Sequence, residues 1–184
     1  MLRQISEPME EPVTLAEAKR HLRLEEDETD EDELISGLIS AAREYAEDRQ
    51  WKRLAKRKFE TQSPADLFFR LPAPCQSIES VSFTDSEGAM VVISPSFYTL
   101  YSDNFKADLF LSSFKYPPLR TTDKYPVRIE FTAGMQPEEV PRKTKIAILM
   151  LVGHWYETRE ATTEKKREKP PFAVDALLDM DRTW

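Results

Sequence analysis

Two histidines, His21 and His154, and a single cysteine, Cys75, are the side chains here best suited to base or nucleophile chemistry. A general base must reach the proton it removes. His154 stands in Gly153-His154-Trp155-Tyr156-Glu157, beside an apolar run, where a packed or interface histidine is expected. His21 sits among Lys19, Arg20 and Arg23 and reads as a surface residue. Cys75 follows Pro74, and the nearest preceding cation is Arg70, so nothing local draws its thiol toward the reactive thiolate. Asp27, Asp30 and Asp32 suggest the start of a calcium loop. Such a loop needs a glycine at its turn and a glutamate at its twelfth position, and no glycine falls between Leu24 and Ser36. With four glycines in the chain, neither G-x-G-x-x-G nor the P-loop pattern occurs. The G-x-S-x-G elbow is absent too. No catalytic residue, cofactor or metal is expected.

Charge is the stronger signal. The net charge is −7, which argues against adhesion to DNA over the whole surface, because phosphate binding needs clustered Lys and Arg. The charges are segregated. Eight of the ten residues from Leu24 to Glu33 are acidic, and five of the seven from Lys52 to Lys58 are basic. Such blocks mark surfaces that meet charged neighbours, or else a solvated loop and a solvated helix end. Glu25, Glu26, Asp27 and Glu28 on one side, and Lys56, Arg57 and Lys58 on the other, are therefore candidate interface residues. Trp51 and Phe59 flank the basic block, so it could also stack single-stranded nucleic acid; a helix end running into a strand would give the same string.

The elements that must position these residues follow from periodicity. The first 13 residues have no apolar period and are expected to form an extended arm. Thr14-Leu15-Ala16-Glu17 is a capping box, and a short helix follows to Leu22. Leu34, Ile35, Leu38, Ile39, Ala42, Tyr45 and Ala46 recur at helical spacing, which predicts a long amphipathic helix over 31–50. From about 56 to 134 the period changes to two. Val81 and Phe83 alternate with Ser82 and Thr84, Asp85-Ser86-Glu87-Gly88 reads as a hairpin loop, and Val127, Ile129 and Phe131 alternate with Arg128, Glu130 and Thr132. Six or seven short strands in one antiparallel sheet are expected. Pro141 can open a helix, and Ile146 to Val152 is apolar on every side, so the helix over 141–160 should be buried on most of its surface. Residues 162–171 form a charged linker, and Phe172 to Met180 a last short helix. The predicted class is α+β: one domain whose helical core, 14–55 and 141–181, holds two long and two short helices, with the sheet inserted. Leu34, Leu38, Tyr45, Ile146, Leu149, Met150 and Val152 are expected in the core. The longest apolar run falls far short of the roughly 20 residues a membrane helix needs. One cysteine cannot make an internal disulfide. A soluble protein of a reducing compartment is expected, with no signal peptide.

Three stretches together resemble the head–tail connector family of tailed bacteriophages. They are Glu11-Pro12-Val13-Thr14-Leu15-Ala16-Glu17-Ala18-Lys19-Arg20-His21-Leu22-Arg23, then Asp32 to Glu47, then Val140 to Glu157 with Arg159-Glu160-Ala161. Pro171-Phe172-Ala173-Val174-Asp175-Ala176-Leu177-Leu178 adds a fourth, and the order of elements agrees. The enlarged middle region departs from the simplest members, which are mainly helical. The resemblance implies a structural adaptor and no enzyme. It implies a ring of about a dozen copies at the head–tail junction of the virion, assembled in the host cytoplasm. The ring would bind portal on one side and a stopper or tail-completion protein on the other, with DNA passing through unread. It also implies that the C-terminal segment, with Phe172, Leu177, Leu178, Met180 and Trp184, reaches toward portal; docking on its own core is the other reading. A DNA-packaging accessory that contacts nucleic acid or the packaging motor is the alternative function.

Overall fold

The computed structural model describes residues 2–119, 122–158 and 172–182. The expected charged linker at 162–171, the last residues of the helix expected to reach 160, and Trp184 lie outside them. The chain divides into two compact units: Met1–Met9 with Lys56–Gly134, and Glu10–Ala55 with Met135–Trp184. The first is built of strands and the second of helices, so the class is α+β, as the change of period predicts.

In the helical unit, α1 (Leu15–Leu22) starts at the predicted capping box. The Glu17 amide donates to Thr14 Oγ1 at 3.2 Å and the Thr14 amide donates to Glu17 Oε2 at 2.8 Å. Arg23, at φ 61°, turns the chain out of the helix. Helix α2 (Asp32–Gln50) buries Ile35, Ile39, Ala42 and Ala46, a stripe at helical spacing, and stops at Trp51 with φ 60°. Helix α3 (Arg142–Glu157) buries Ala147, Ile148, Leu151 and Val152, and α4 (Phe172–Asp179) buries Val174 and Leu178. Helices α2 and α3 run antiparallel. Gln50 Nε2 donates to Thr144 Oγ1 at 3.2 Å at one end, and the Tyr156 hydroxyl donates to the Glu31 carboxylate at the other.

Two expectations for the helical core are corrected. Helix α3 is not buried all round: Ile146 is 50% exposed, and Leu149 and Met150 are only partly covered. Leu34 on α2 is 42% exposed, and Leu38 and Tyr45 are half-buried. Val152 alone of the expected set is fully buried. The reason is geometric. The other helices cover only part of the circumference of α3, so residues one position out of phase with Ala147, Ile148 and Leu151 face outward.

The strand unit holds β1 (Leu2–Gln4), β2 (Arg57–Ser63), β3 (Phe68–Leu71), β4 (Cys75–Thr84), β5 (Met90–Val92), β6 (Tyr98–Ser102), β7 (Ala107–Leu111) and β8 (Val127–Ala133). The expected single sheet is two: a five-stranded sheet in the order β1-β2-β8-β4-β5 and a three-stranded sheet in the order β3-β7-β6, antiparallel throughout. Pro64, Pro72 and Pro74 interrupt the chain around β3, where each removes a ladder donor. The start of the arm expected to be extended is β1, paired with β2. The hairpin between β4 and β5 turns at Gly88, which takes the left-handed φ of 89° that favours glycine. Central β8 buries Val127, Ile129, Phe131 and Ala133. Phe131 stacks on Phe59 at 5.7 Å between ring centroids. Phe69, Leu109 and Leu111 of the smaller sheet join the same core.

Truncating Phe131 or Leu151 to alanine should therefore destabilise the unit that carries it by about 2–5 kcal/mol, because both side chains are fully buried. Leu34→Ala should change stability by less than about 0.5 kcal/mol. Chemical denaturation of the three variants checks this, and a Leu34→Ala loss as large as that of Leu151→Ala would show that the faces of α2 are wrongly assigned.

Candidate functional site

The acidic loop between α1 and α2 is organised from within by a buried cation. Lys19 is 3% exposed, although it stands in a surface-like run of bases. Its Nζ donates to the backbone carbonyls of Glu26 at 3.0 Å and Glu28 at 2.5 Å, and it pairs with Asp32 Oδ1 at 2.9 Å. Burying an ammonium is tolerable only where oxygens replace its water. Three do so here, and they fold the loop around it. Glu25, Glu26, Asp27 and Glu28 all remain exposed. The loop thus presents carboxylates outward while its inward oxygens already hold the protein's own cation.

A second buried charge lies on α2. Arg43 is 3% exposed and sits within the apolar stripe. Its Nε donates to Glu11 Oε2 at 2.8 Å, and its Nη1 lies 3.4 Å from Glu47 Oε2. Burial pulls the guanidinium pKa down, but Glu47 and Glu11 outweigh it and hold the pKa above the ordinary value. The other oxygen of Glu47 accepts from the amides of Leu54, at 2.9 Å, and Ala55, at 3.3 Å. Sequence reasoning missed both Lys19 and Arg43. The available signal was phase: Arg43, Glu47 and Gln50 fall on the face marked by Ile39, Ala42 and Ala46, where a charge must have a partner.

The C-terminal helix docks on its own unit. Leu178 is fully buried, and its carbonyl accepts from Gln50 Nε2 at 3.1 Å. Arg49 grips Asp179 with two bonds of 2.7 Å, the Tyr45 hydroxyl donates to Asp175 at 3.0 Å, and Lys143 pairs with Asp181 at 3.1 Å. Leu178 is therefore withdrawn from the portal-docking candidates. Leu177 is half-buried and Met180 is 69% exposed. The Phe172 side chain and Trp184 lie outside the described residues.

The basic block is divided between the two units. Lys52 and Arg53 belong to the helical unit, and Lys56, Arg57 and Lys58 to the strand unit. Lys52 and Arg57 are buried, the latter with its guanidinium 5.1 Å from the Phe59 ring centroid. Only Lys58 is fully exposed, with Lys56 half-buried. Arg57 is thereby corrected from an interface candidate to a core-facing residue of β2, because alternation places it on the same face as Phe59.

Both histidines belong to the helical unit and Cys75 to the strand unit. His21 is exposed, with its ring against Gly153 of α3, where a Cβ would meet Nε2 at 3.4 Å. His154 is half-buried on α3. Cys75 lies buried in the strand unit, and burial pushes its thiol up to about 12. A groove of the helical unit, about 460 Å³, has Val13, Leu15, Ile39 and Pro137 as its apolar lining and Glu10 and Glu138 beside them.

This arrangement of a capped short helix, an acidic loop and a long helix agrees with a known sequence pattern. Residues 12–88 match the family model described as phage gp6-like head-tail connector protein. The chain resembles a head–tail connector. The likeness to solved structures runs further than the family match. A chain from the neck of an empty GTA (gene transfer agent) particle, computed with C6 symmetry, is 25% identical; the match covers 100% of this chain and 96% of that one, with a TM-score of 0.81. A chain from the virion of the native GTA particle is 25% identical, with the same coverage and a TM-score of 0.79. The neck of the native particle, computed with C12 symmetry, supplies a third likeness of fold at 24% identity and a TM-score of 0.78, again over 100% and 96% of the two chains. Among curated proteins none matches. The connector match takes in α1, Lys19 with its loop, α2 and strands β2 to β4. The structural likeness extends across the enlarged strand region, the departure from the simplest connectors noted in the sequence.

Replacing Lys19 with methionine removes the charge that organises the acidic loop. It should destabilise the helical unit by about 1.5–3 kcal/mol, the range for hydrogen bonds to a charged group, and speed amide hydrogen exchange over residues 24–31. Unchanged exchange there would show that the loop holds its shape without the cation. Asp179 has a folded pKa below the ordinary carboxylate value, chiefly because of its hydrogen bonds from Arg49. Its contribution is present above the unfolded carboxylate pKa and lost as pH falls through the lower, folded value. Exchange over residues 172–179 should therefore rise on acidification before that of α2, and Arg49→Ala should produce the same loosening at neutral pH.

Proposed function

We propose that this chain is a structural head–tail connector subunit of a tailed phage, prophage or phage-derived particle, with no catalytic role. Its copies form a closed ring at the neck, below the portal, extending the channel through which DNA passes and offering a docking surface to a stopper or tail-completion protein. The observation that carries this reading is the agreement of fold with a neck chain over the full length of this chain, both units included, joined to the connector match of residues 12–88. The twelve-fold symmetry named for a related neck supports a ring of about a dozen copies. Charge supports the channel. A subunit of net charge −7 does not grip the DNA that must slide past it. The burial of Lys52 and Arg57 removes the continuous basic surface that a packaging accessory would use on nucleic acid.

Particles purified from producing cells should contain the chain at the neck, located by gold-labelled antibody, and deletion of its gene should leave filled heads and free tails unjoined. Mass spectrometry that finds no copy of the chain in purified, tailed particles would overturn the reading.

A further inference from the structure

Two features of α3 run against what its own stability would select. Its first turn carries Arg142, Lys143 and Lys145 and no acid, although cations there meet the positive end of the helix dipole. Lys143 has an intramolecular partner in Asp181, whereas Arg142 points to solvent. Next to these bases, Ile146, Leu149 and Met150 fall at i, i+3 and i+4, out of phase with the buried Ala147, Ile148, Leu151 and Val152; Gly153, at i+7, lies against His21 of α1. Ile146 is half exposed, and Leu149 and Met150 are partly covered. Such spacing is that of a helix whose anchors enter an apolar partner surface.

The complementary surface stands at the other end of the same helix pair. Helix α2 opens with Leu34 and Leu38 one turn apart, the first exposed and the second half-buried. Exposed Glu33 immediately precedes Leu34, and the loop that leads into α2 exposes Glu25, Glu26, Asp27 and Glu28. Because α2 and α3 are antiparallel, with Gln50 against Thr144 at one end and Tyr156 against Glu31 at the other, the basic first turn of α3 and the acidic first turn of α2 lie at opposite ends of the pair. The two surfaces share no residue. A closed ring requires such a pair, since each subunit must offer its neighbour a surface different from the one it receives.

We propose that the basic stripe of α3, with Ile146, Leu149 and Met150 as its apolar anchors, docks on the acidic start of α2, at Leu34 and Leu38, of a second copy of this chain. The proposal rests on the ring reading above and names its seam. The occupant follows from charge complementarity: Arg142 and Lys145 adjoin the apolar residues of α3, whereas acids predominate in the loop before α2, where Arg20 pairs with Glu26 alone of Glu25 to Glu28 among the ion pairs of the described residues. Lys56 and Lys58, first considered as partners of the acidic loop, are replaced in that role by Arg142 and Lys145.

The test uses full-length rings, or necks isolated from particles that carry the variants. A chain with both Leu34→Cys and Ile146→Cys, treated with a short bismaleimide, should give a ladder of covalent multimers, while each single variant should stay monomeric on a denaturing gel. Native Cys75 does not interfere, because it is buried with its thiol pushed up to about 12 by burial. Ile146→Asp should lower the ring fraction at least tenfold in sedimentation without shifting the thermal melt. Intact rings without a ladder, dimers from either single variant, or undiminished rings of Ile146→Asp would overturn the seam and leave the connector reading standing. Ile146→Asp rings that form normally but lose a different neck protein would assign α3 to that partner and also overturn it. A wild-type chain found in no ring, alone or in particles, would remove the ring reading itself.

Discussion

The helical unit depends on a single buried guanidinium. Arg43 occupies a position on α2 that phase reserves for an apolar side chain, and it is kept there by Glu11 and Glu47. A buried charge with one partner removed is strongly destabilising, so the three residues stand or fall together. Their reach exceeds their own contacts. Glu11 lies in the segment that leads into α1, and Glu47 holds the amides of Leu54 and Ala55 just beyond α2. One ion cluster therefore fixes the approach to the first helix and the departure from the second. The capping box of α1 and the stripe of α2 would form without it. Their entry and exit paths would not be fixed, and those paths lead to two of the three boundaries at which the chain passes between the units.

The same logic distinguishes charges that build the unit from charges that face outward. Lys19 and Arg43 lie within the folded unit, and each has several oxygens around it. Arg49 and Lys143 hold the C-terminal helix by pairs at its surface. Arg142 and the outer carboxylates of the acidic loop serve neither purpose. Residues that break a local rule without a compensating gain inside the fold are where function is expected. The first turn of α3 breaks two such rules together, in helix electrostatics and in burial. A chain selected only for a stable monomer would place acids in that turn and a polar residue at Ile146.

Much of this was legible in the sequence, and the misses have physical causes. Thr14 with Glu17, the stripe of α2, the turn at Gly88 and the alternation of β8 each depend on local chemistry and could be read from neighbouring residues. The division of the strands into two sheets could not, because pairing of β3 with β7 and of β2 with β8 is a matter of long-range register that alternation alone does not encode. For α3 the error was one of degree. A run of apolar residues announces burial but not how many neighbours will supply it, and the neighbours of α3 leave Ile146 uncovered. Counting bases from Lys52 to Lys58 gave a patch, whereas β-strand alternation turns Arg57 inward and Lys58 outward. Composition located the acidic loop correctly, yet the residue that shapes it, Lys19, lies outside the loop and looked like one more surface base.

The match to connector sequences ends at residue 88, within the β4–β5 hairpin, while the structural likeness to neck chains spans the whole molecule. The difference follows from what each region demands of its residues. In α1, the acidic loop and α2, particular side chains perform particular tasks. Thr14 caps, Lys19 fills the loop, and Arg43 needs Glu11 and Glu47, so few substitutions keep the geometry. In β6, β7 and β8 the demand is mainly alternation: Leu109, Leu111, Ile129 and Phe131 must be apolar and of suitable size, and cores accept such exchanges if volume and pattern are kept. A strand region under that looser constraint can lose its sequence signature while keeping its fold. The sheets are thus as much a part of the shared architecture as the helices, and the sequence match itself runs from α1 and α2 into β2, β3 and β4.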